Sequence, residues 1–182
     1  MIHNTSYTKN LIIFLVVFFG VLGFAKGSLA ATYYVYPGLS TGNNDGSSWT
    51  NAWRTFSDVN WTTLQAETAS QPVYLYVKKG SISSTGMTVR GSGSSDTNRI
   101  FVTVDPTDSG AAPIITSTIY MSSKTYLTFS GLTIQNVTSG PGLQMDDNSG
   151  YITISNCTFT NIYADAITHW TSNNYAPGII IE

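Results

Sequence analysis

The residues best suited to chemistry are three aspartates near the end of the sequence. Asp146 and Asp147 are adjacent in QMDDNSG, and Asp165 stands in ADAIT. Calcium takes six to eight oxygen ligands, and three carboxylates on one face could supply part of that set. Asp, Asn, Ser and Gly are also the usual residues of turns. A calcium site at Asp146, Asp147 and Asp165 is one prediction, and polar turns that begin or end strands are the alternative.

A histidine and a tryptophan form the second candidate site. His169 is followed directly by Trp170. An indole offers a flat apolar surface for a ring-shaped ligand, and an imidazole can act as an acid or a base. We predict a substrate-binding role for the pair, with ordinary surface or turn residues as the alternative. No residue is identified as catalytic.

These candidates must be positioned by a repeated unit. The segment YLTFSGLTIQN, residues 126–136, recurs in closely similar form as YITISNCTFTN, residues 151–161. Apolar and polar letters alternate in both, which is the period of a strand with one buried face. FVTV, residues 101–104, precedes YLTF by the same interval, which predicts a further repeat. A second short segment that begins with an aliphatic residue also recurs at a nearly equal interval, at residues 119–121, 143–145 and 167–169.

Each repeat carries three short strands, for example residues 143–145, 151–155 and 157–160. A period of 20 to 50 residues indicates a solenoid, and three strands per turn with no helix between them predict an all-β parallel β-helix of about 24–25 residues per coil. Stacked coils would place Leu127 near Ile152.

The corner between the second and third strands supports this interpretation. Gly131 occupies the place of Asn156, and these two residue types tolerate a positive φ better than most. Cys157 replaces Leu132 in the repeat, so we predict that Cys157 is a buried, small apolar residue. Gly131, Asn156 and Cys157 are therefore assigned structural roles.

The repeats resemble those of right-handed parallel β-helix proteins of the pectate-lyase-like superfamily. The resemblance extends to TYYVYPGLSTGNNDGSSWTNAWRTF, PVYLYVKKGSI and GSGSSDTNRIFVTVDP in the N-terminal part. It implies a secreted protein that binds or cleaves polysaccharide, with an acidic-glycan lyase and a glycoside hydrolase as the two enzyme classes. A non-catalytic surface or adhesive protein is the alternative, since one fold hosts many functions. In the lyases of this family the cleft lies further along than Lys78 and Lys79, which we interpret as structural.

Composition and the first thirty residues indicate the location. The chain has 182 residues, 10% charged residues and a net charge of −2, without a basic patch, so nucleic acid is not an expected partner. Lys9 precedes an apolar run, residues 11–25, which is short for a membrane span and typical of a signal peptide, with a retained membrane anchor as the alternative. We predict a signal peptide over residues 1–30, no stable membrane span after its cleavage, and a secreted or cell-surface protein that meets polysaccharide or cell-surface glycan.

The rest of the chain divides into two predicted parts. Residues 31–71 would form a strand, a loop and a short capping helix, with helical spacing over residues 51–68. Residues 72–182 would form the coils, beginning with a strand at residues 73–77. The last apolar letters, Ile179 to Ile181, should belong to a strand, so we expect an uncapped C-terminal end and an N-terminal fragment whose catalytic coils, if any, lie beyond residue 182.

Overall fold

The computed structural model describes residues 29–171 and 178–182. The predicted signal peptide thus falls outside the described residues, apart from its last two positions. No helix in the described part is long and apolar enough to span a membrane. The strands of these residues are, in chain order, β1 (Ala31–Val35), β2 (Val73–Val77), β3 (Ile82–Ser83), β4 (Met87–Val89), β5 (Ile100–Thr103), β6 (Ile114–Ile115), β7 (Ile119–Ser122), β8 (Thr125–Ser130), β9 (Thr133–Val137), β10 (Leu143–Asp146), β11 (Gly150–Ser155), β12 (Thr158–Ile162), β13 (Ile167–Trp170) and β14 (Ile180–Ile181).

These strands form three sheets in which every strand pairs with a strand of a neighbouring repeat. The first sheet has the order β1-β2-β5-β8-β11-β14, the second β13-β10-β7-β4, and the third β12-β9-β6-β3. All of the strand pairs described are parallel. The all-β character and the parallel repeat pattern predicted from the sequence are therefore confirmed. Because β1 pairs with β2, the two predicted parts of the chain share one sheet.

The register of the later repeats follows the sequence alignment. Ile152 pairs with Leu127, as predicted, and both side chains are fully buried. The strand at residues 100–103 departs from the alignment, because Phe101 pairs with Thr128 and not with Tyr126. A shift of two residues leaves the same side chains facing the core, so alternation alone could not detect it.

The core consists of inward-facing side chains stacked along the three sheets. Leu75, Val102, Phe129 and Ile154 follow one another across the first sheet and are 0–1% exposed. Side chains from the second and third sheets complete one continuous apolar cluster. Burial of this cluster supplies the main favourable term for folding in a chain whose single cysteine cannot form an internal disulfide.

Left-handed residues recur at equivalent places in successive repeats. Residues with φ between +51° and +69° form four such pairs: Ser123 and Asp147, Tyr126 and Tyr151, Gly131 and Asn156, Asn136 and Asn161. Two of these pairs fall at turns between strands, and the other two fall inside strands, at positions that the pairing register skips. Since Gly, Asn and Asp adopt this region most readily, the turns are a strong constraint on the sequence of each repeat.

The segment before the repeats is less helical than its spacing predicts. The α-helix, α1, covers only Trp61–Glu67, and two 3-10 turns precede it at Trp49–Asn51 and Phe56–Asp58. Polar side chains set these breaks. Asp58 Oδ2 accepts hydrogen bonds from the backbone N–H and hydroxyl of Thr55, and Asn60 Oδ1 accepts one from the Thr63 N–H, which starts α1. The prediction of a short helix is confirmed, and its extent over residues 51–68 is wrong.

Candidate functional site

The second sheet positions two of the sequence candidates on its outer face. In β10, Leu143 and Met145 are buried, so Gln144 and Asp146 point away from the core. The same alternation in β13 places Trp170 on the outer face, because Trp170 pairs with Asp146. A tryptophan, a carboxylate and an amide therefore lie on adjoining strands of one surface.

These side chains surround a shallow depression with a volume of about 430 Å³, and its lining residues are Gln144, Asp146, Asp147, Trp170 and Thr171. Trp170 is 67% exposed, which is unusual for so large an apolar side chain. The two carboxylates are held from within the sheet. Gln144 Nε2 lies 3.1 Å from each carboxylate oxygen of Asp146, and the Ser122 hydroxyl donates to Asp147 Oδ2. Two hydrogen-bonded carboxylates thus border the same open depression as the indole.

His169 does not share this depression with Trp170. His169 pairs with the buried Met145, so its side chain faces the opposite side of the strand from that of Trp170. Its Nε2 atom lies 3.3 Å from the backbone oxygen of Ser149. The two members of the predicted substrate-binding pair are therefore separated by the sheet, and Trp170 is the one placed on an open surface.

Asp165 lies at the other end of the strands from Asp146 and Asp147. The backbone N–H of Gly142 donates to the Asp165 carbonyl, so Asp165 is aligned with the residues that precede β10. Asp146 ends that strand. The two backbone levels are separated by about five residues of extended chain, which is about 16 Å. The Asp165 carboxylate reaches the Thr168 hydroxyl, at 3.5 Å, but it does not form a group with the aspartate pair that could hold a metal ion.

The aspartates do not make a complete calcium site. Among residues 29–171 and 178–182, no three or more His, Cys, Asp or Glu side chains are grouped so that they could hold a metal ion. Two adjacent carboxylates fall short of the six to eight oxygen ligands that calcium takes. Calcium binding at Asp146, Asp147 and Asp165 stays a prediction, and no step of the function proposed below depends on it.

Lys78 and Lys79 hold a loop in place. Lys78 Nζ lies 2.5 Å from Asp108 Oδ1, and the backbone N–H of Lys79 donates to Asp108 Oδ2 at 3.0 Å. The Asp108 side chain is only 8% exposed. Burial raises the pKa of this carboxyl, but the hydrogen bonds from Lys78 and Lys79 outweigh it, and the pKa lies below its ordinary value. Both lysines therefore act in a structural contact. They follow β2, whereas the Trp170 depression lies on β10 and β13, several repeats later.

The three residues with predicted structural roles lie at the corner between the first and third sheets. Gly131 has a φ of +69° and Asn156 a φ of +51°, the conformation that a one-residue corner needs. Cys157 is half-buried against the core, and its Sγ lies 3.6 Å from the Phe129 carbonyl oxygen. Burial raises the pKa of the thiol, which suppresses the reactive thiolate.

Sequence reasoning missed Gln144 and Thr171 in the lining of the depression, and it missed Ser122, which donates a hydrogen bond to Asp147. Gln144 could have been found, because it stands two positions before Asp146 in a strand and must share its face. Ser122 could have been found in the same way, since it pairs with Asp146 one repeat earlier. Neither residue type suggests chemistry by itself, and their importance comes from the carboxylates that they hold.

Comparisons with known proteins do not identify the chain. A search against protein-family models gives no match, and a search of curated proteins gives no match. The resemblance seen in the repeats therefore rests on the residues themselves, and the function must be inferred from the geometry of the second sheet.

Proposed function

We propose that this protein is a parallel β-helix that binds an extracellular polysaccharide on the outer face of its second sheet. The observation that carries the proposal is the exposed indole of Trp170 beside Gln144, Asp146 and Asp147 in an open depression. The predicted signal peptide supports the extracellular setting.

The pattern of strand pairing supports the β-helix. Each repeat contributes one strand to each of the three sheets, and the strands recur in the same order along the chain. Parallel pairing at the same register over successive repeats is what a chain coiled around one axis produces. The ladder of left-handed residues supports the same interpretation, because it repeats the corners as well as the strands.

The chemistry of the depression suits a sugar chain. The face of an exposed indole is apolar and can pack against the C–H groups of a sugar ring, while carboxylate oxygens accept hydrogen bonds from its hydroxyls. An open, shallow shape accommodates a polymer that continues past both ends of the site. Because Asp146 and Asp147 are held by Gln144 and Ser122, little ordering of these acceptors is needed on binding.

A binding assay with the full chain tests the proposal. Affinity electrophoresis or calorimetry against a panel of neutral and acidic polysaccharides should reveal at least one ligand, and Trp170→Ala should weaken its binding by roughly tenfold or more, as for loss of an aromatic anchor. Tyr163→Ala is the matched control, since Tyr163 is 77% exposed but does not line the depression. Absence of any ligand, or equal losses in the two variants, would reject the proposal.

Cleavage of the bound polysaccharide, by a lyase or a hydrolase mechanism, is a further proposal that rests on the family resemblance. The carboxylates of Asp146 and Asp147 are the acid–base groups that share the depression with Trp170 in the described part of the chain. Incubation of the bound polysaccharide with the protein would release unsaturated ends in a lyase reaction and reducing ends alone in hydrolysis. If neither product forms, the protein is a binding protein.

A structural or adhesive surface protein is the alternative, and the regular polar ladders favour it. Thr133 pairs with Thr158, and the Asn161 amide donates to Asn136, along the outside of the third sheet. Such ladders stiffen a rod without serving a ligand. This alternative predicts that no polysaccharide binds and that Trp170→Ala has no effect on any binding assay.

A further inference from the structure

We propose that a second, separate cavity, between the segment before α1 and the strand β4, binds a carboxylate group. The cavity has a volume of about 90 Å³ and is lined by Phe56, Ser57, Val59, Trp61, Thr88 and Arg90. This volume exceeds what a single water molecule requires. The lining combines two hydroxyls, an indole and a guanidinium, which are all hydrogen-bond donors.

The indole of Trp61 supplies the first argument. Trp61 is 4% exposed, and its Nε1 atom is buried without a hydrogen-bond acceptor among the described residues. An indole N–H can only donate, so it requires an acceptor when it is removed from water. Buried donors of this kind are rare in folded proteins, and each one needs an explanation. A ligand oxygen in the cavity that Trp61 lines would satisfy it.

The guanidinium of Arg90 supplies the second argument. Arg90 follows Val89, which is buried, so its side chain leaves β4 on the outer face together with that of Thr88. No hydrogen bond or ion pair joins Arg90 to another residue in the described part of the chain. A guanidinium has five donors in a planar fork that matches a carboxylate, and such pairs are among the strongest charged hydrogen bonds.

The carboxylate of the neighbouring Asp58 does not form an ion pair with Arg90. Asp58 lies next to Ser57 in sequence, and its Oδ2 atom accepts from the backbone N–H and the hydroxyl of Thr55 at 3.0 and 2.9 Å. Arg90 is exposed at the mouth of the cavity, where its guanidinium is open to pair with an external anion. The donor set and the small volume together favour a planar carboxylate over a neutral polyol.

The cavity lies apart from the Trp170 depression. Thr88 pairs with Tyr120, and Tyr120 pairs with Gln144, so two strand spacings, or about 10 Å, separate the two sites on the second sheet. The carboxylate could belong to a free small acid or to an acidic sugar. The proposal stands independently of polysaccharide binding, because its donors do not include any residue of the depression.

Nuclear magnetic resonance of the indole N–H groups tests the proposal on the full chain labelled with nitrogen-15. Acetate is the probe, acetamide is its neutral counterpart, and Trp61→Phe identifies the Trp61 resonance by its loss. We expect a saturable shift of that resonance with acetate and none with acetamide. Arg90→Gln should weaken acetate binding by at least tenfold, whereas Lys124→Gln, which removes a cation outside the lining, should not change it.

The remaining indole resonances, from Trp49, Trp53 and Trp170, report whether each variant is folded. A Trp61 resonance that does not move with acetate, that moves equally with acetamide, or that responds unchanged in folded Arg90→Gln overturns the proposal. A titration with galacturonate distinguishes the two sources. Binding much tighter than that of acetate indicates an acidic sugar, equal binding indicates a small acid, and both results support a carboxylate site.

Discussion

The side-chain amide of Asn161 donates to Oδ1 of Asn136 at 2.8 Å, and both residues have a left-handed backbone, with φ of +51° and +55°. One residue type thus satisfies two requirements at the same place in two repeats. It interrupts the strand pairing at the equivalent position of β9 and β12, and it links one repeat to the next through its side chain.

This link should be measurable as a coupling energy. Asn136→Gly and Asn161→Gly each remove the amide and keep a backbone that accepts positive φ. We expect the double variant to lose less stability than the two single losses combined, with a coupling of about 0.5–1 kcal/mol for one exposed hydrogen bond. Urea unfolding of the four proteins measures it. If the losses of the two single variants add up to that of the double variant, the hydrogen bond between the two amides does not stabilise the fold.

The corner at Gly131 should reject a side chain. A Cβ there would lie 3.1 Å from Val104 Cγ2, and the φ of +69° is strained for most L residues. We expect Gly131→Ala to reduce the free energy of unfolding by about 1–2 kcal/mol. Asn156→Gly is the control at the equivalent corner. It should change the free energy of unfolding by only a few tenths of the loss expected for Gly131→Ala. Denaturant midpoints of both variants decide the matter, and equal effects would contradict the role of φ.

The stacking of Leu127 between Ile100 and Ile152 should make it a sensitive core position. Leu127 is fully buried, and its pairing places it against one isoleucine on each side. Leu127→Ala should cost about 2–5 kcal/mol, the range for a buried leucine whose surroundings relax only partly. Thr153→Ala, on the outer face of the same sheet, should cost far less. Thermal and urea unfolding measure the stability of both variants. Equal stabilities of Leu127→Ala and Thr153→Ala would contradict the stacking.

The contact between Asp108 and Lys78 should weaken in acid. The pKa of Asp108 is lowered in the folded state, so its contribution is fully present above the ordinary aspartate value near 4 and is lost as the pH falls through the folded-state pKa. The stability difference between the wild type and Asp108→Asn should therefore shrink below about pH 4. Unfolding midpoints measured from pH 7 downwards follow this change.

Lys78→Met provides the matched control for the acid effect. With the ammonium gone, the folded-state pKa of Asp108 should rise, so acidification should remove less stability than in the wild type, and the loss should be complete at a higher pH. An unchanged pH profile in Lys78→Met would show that the ion pair is not its cause.

The thiol of Cys157 should react slowly. Burial raises its pKa, so the thiolate fraction at neutral pH is smaller than in an unfolded chain. We expect alkylation by iodoacetamide to be at least tenfold slower in the native protein than in denaturant, in which the thiol is exposed. Mass spectrometry of the time course measures both rates. Equal rates would place Cys157 outside the core.

Much of the fold was readable from the sequence because the later repeats share one alternating pattern, with five of eleven aligned letters identical between residues 126–136 and 151–161. Eleven aligned letters indicated the pairing of Leu127 with Ile152, and the second recurring segment indicated that of Met145 with Met121. FVTV is only four letters long, and a loop follows it where later repeats have a one-residue corner. A slip of two positions kept Phe101 on the outer face, so the pattern could not reveal it.

The site was less predictable, although part of the information was present. Asp165 precedes its strand and Asp146 ends one, and parallel strands place their starts at the same edge, so the two could have been separated from the sequence alone. The opposite orientations of His169 and Trp170 also follow from strand alternation. The cavity at Trp61 could not be foreseen, because it depends on how the segment before α1 packs against β4.

The matching left-handed corners carry an evolutionary consequence. A tandem copy of residues 126–150 would bring its own bends and its own partners for the strands above and below. Each copy would add one strand to each of the three sheets, at a spacing of about 4.8 Å. Gain or loss of one such unit would therefore change the number of strands in each sheet and leave β1 and α1 unchanged.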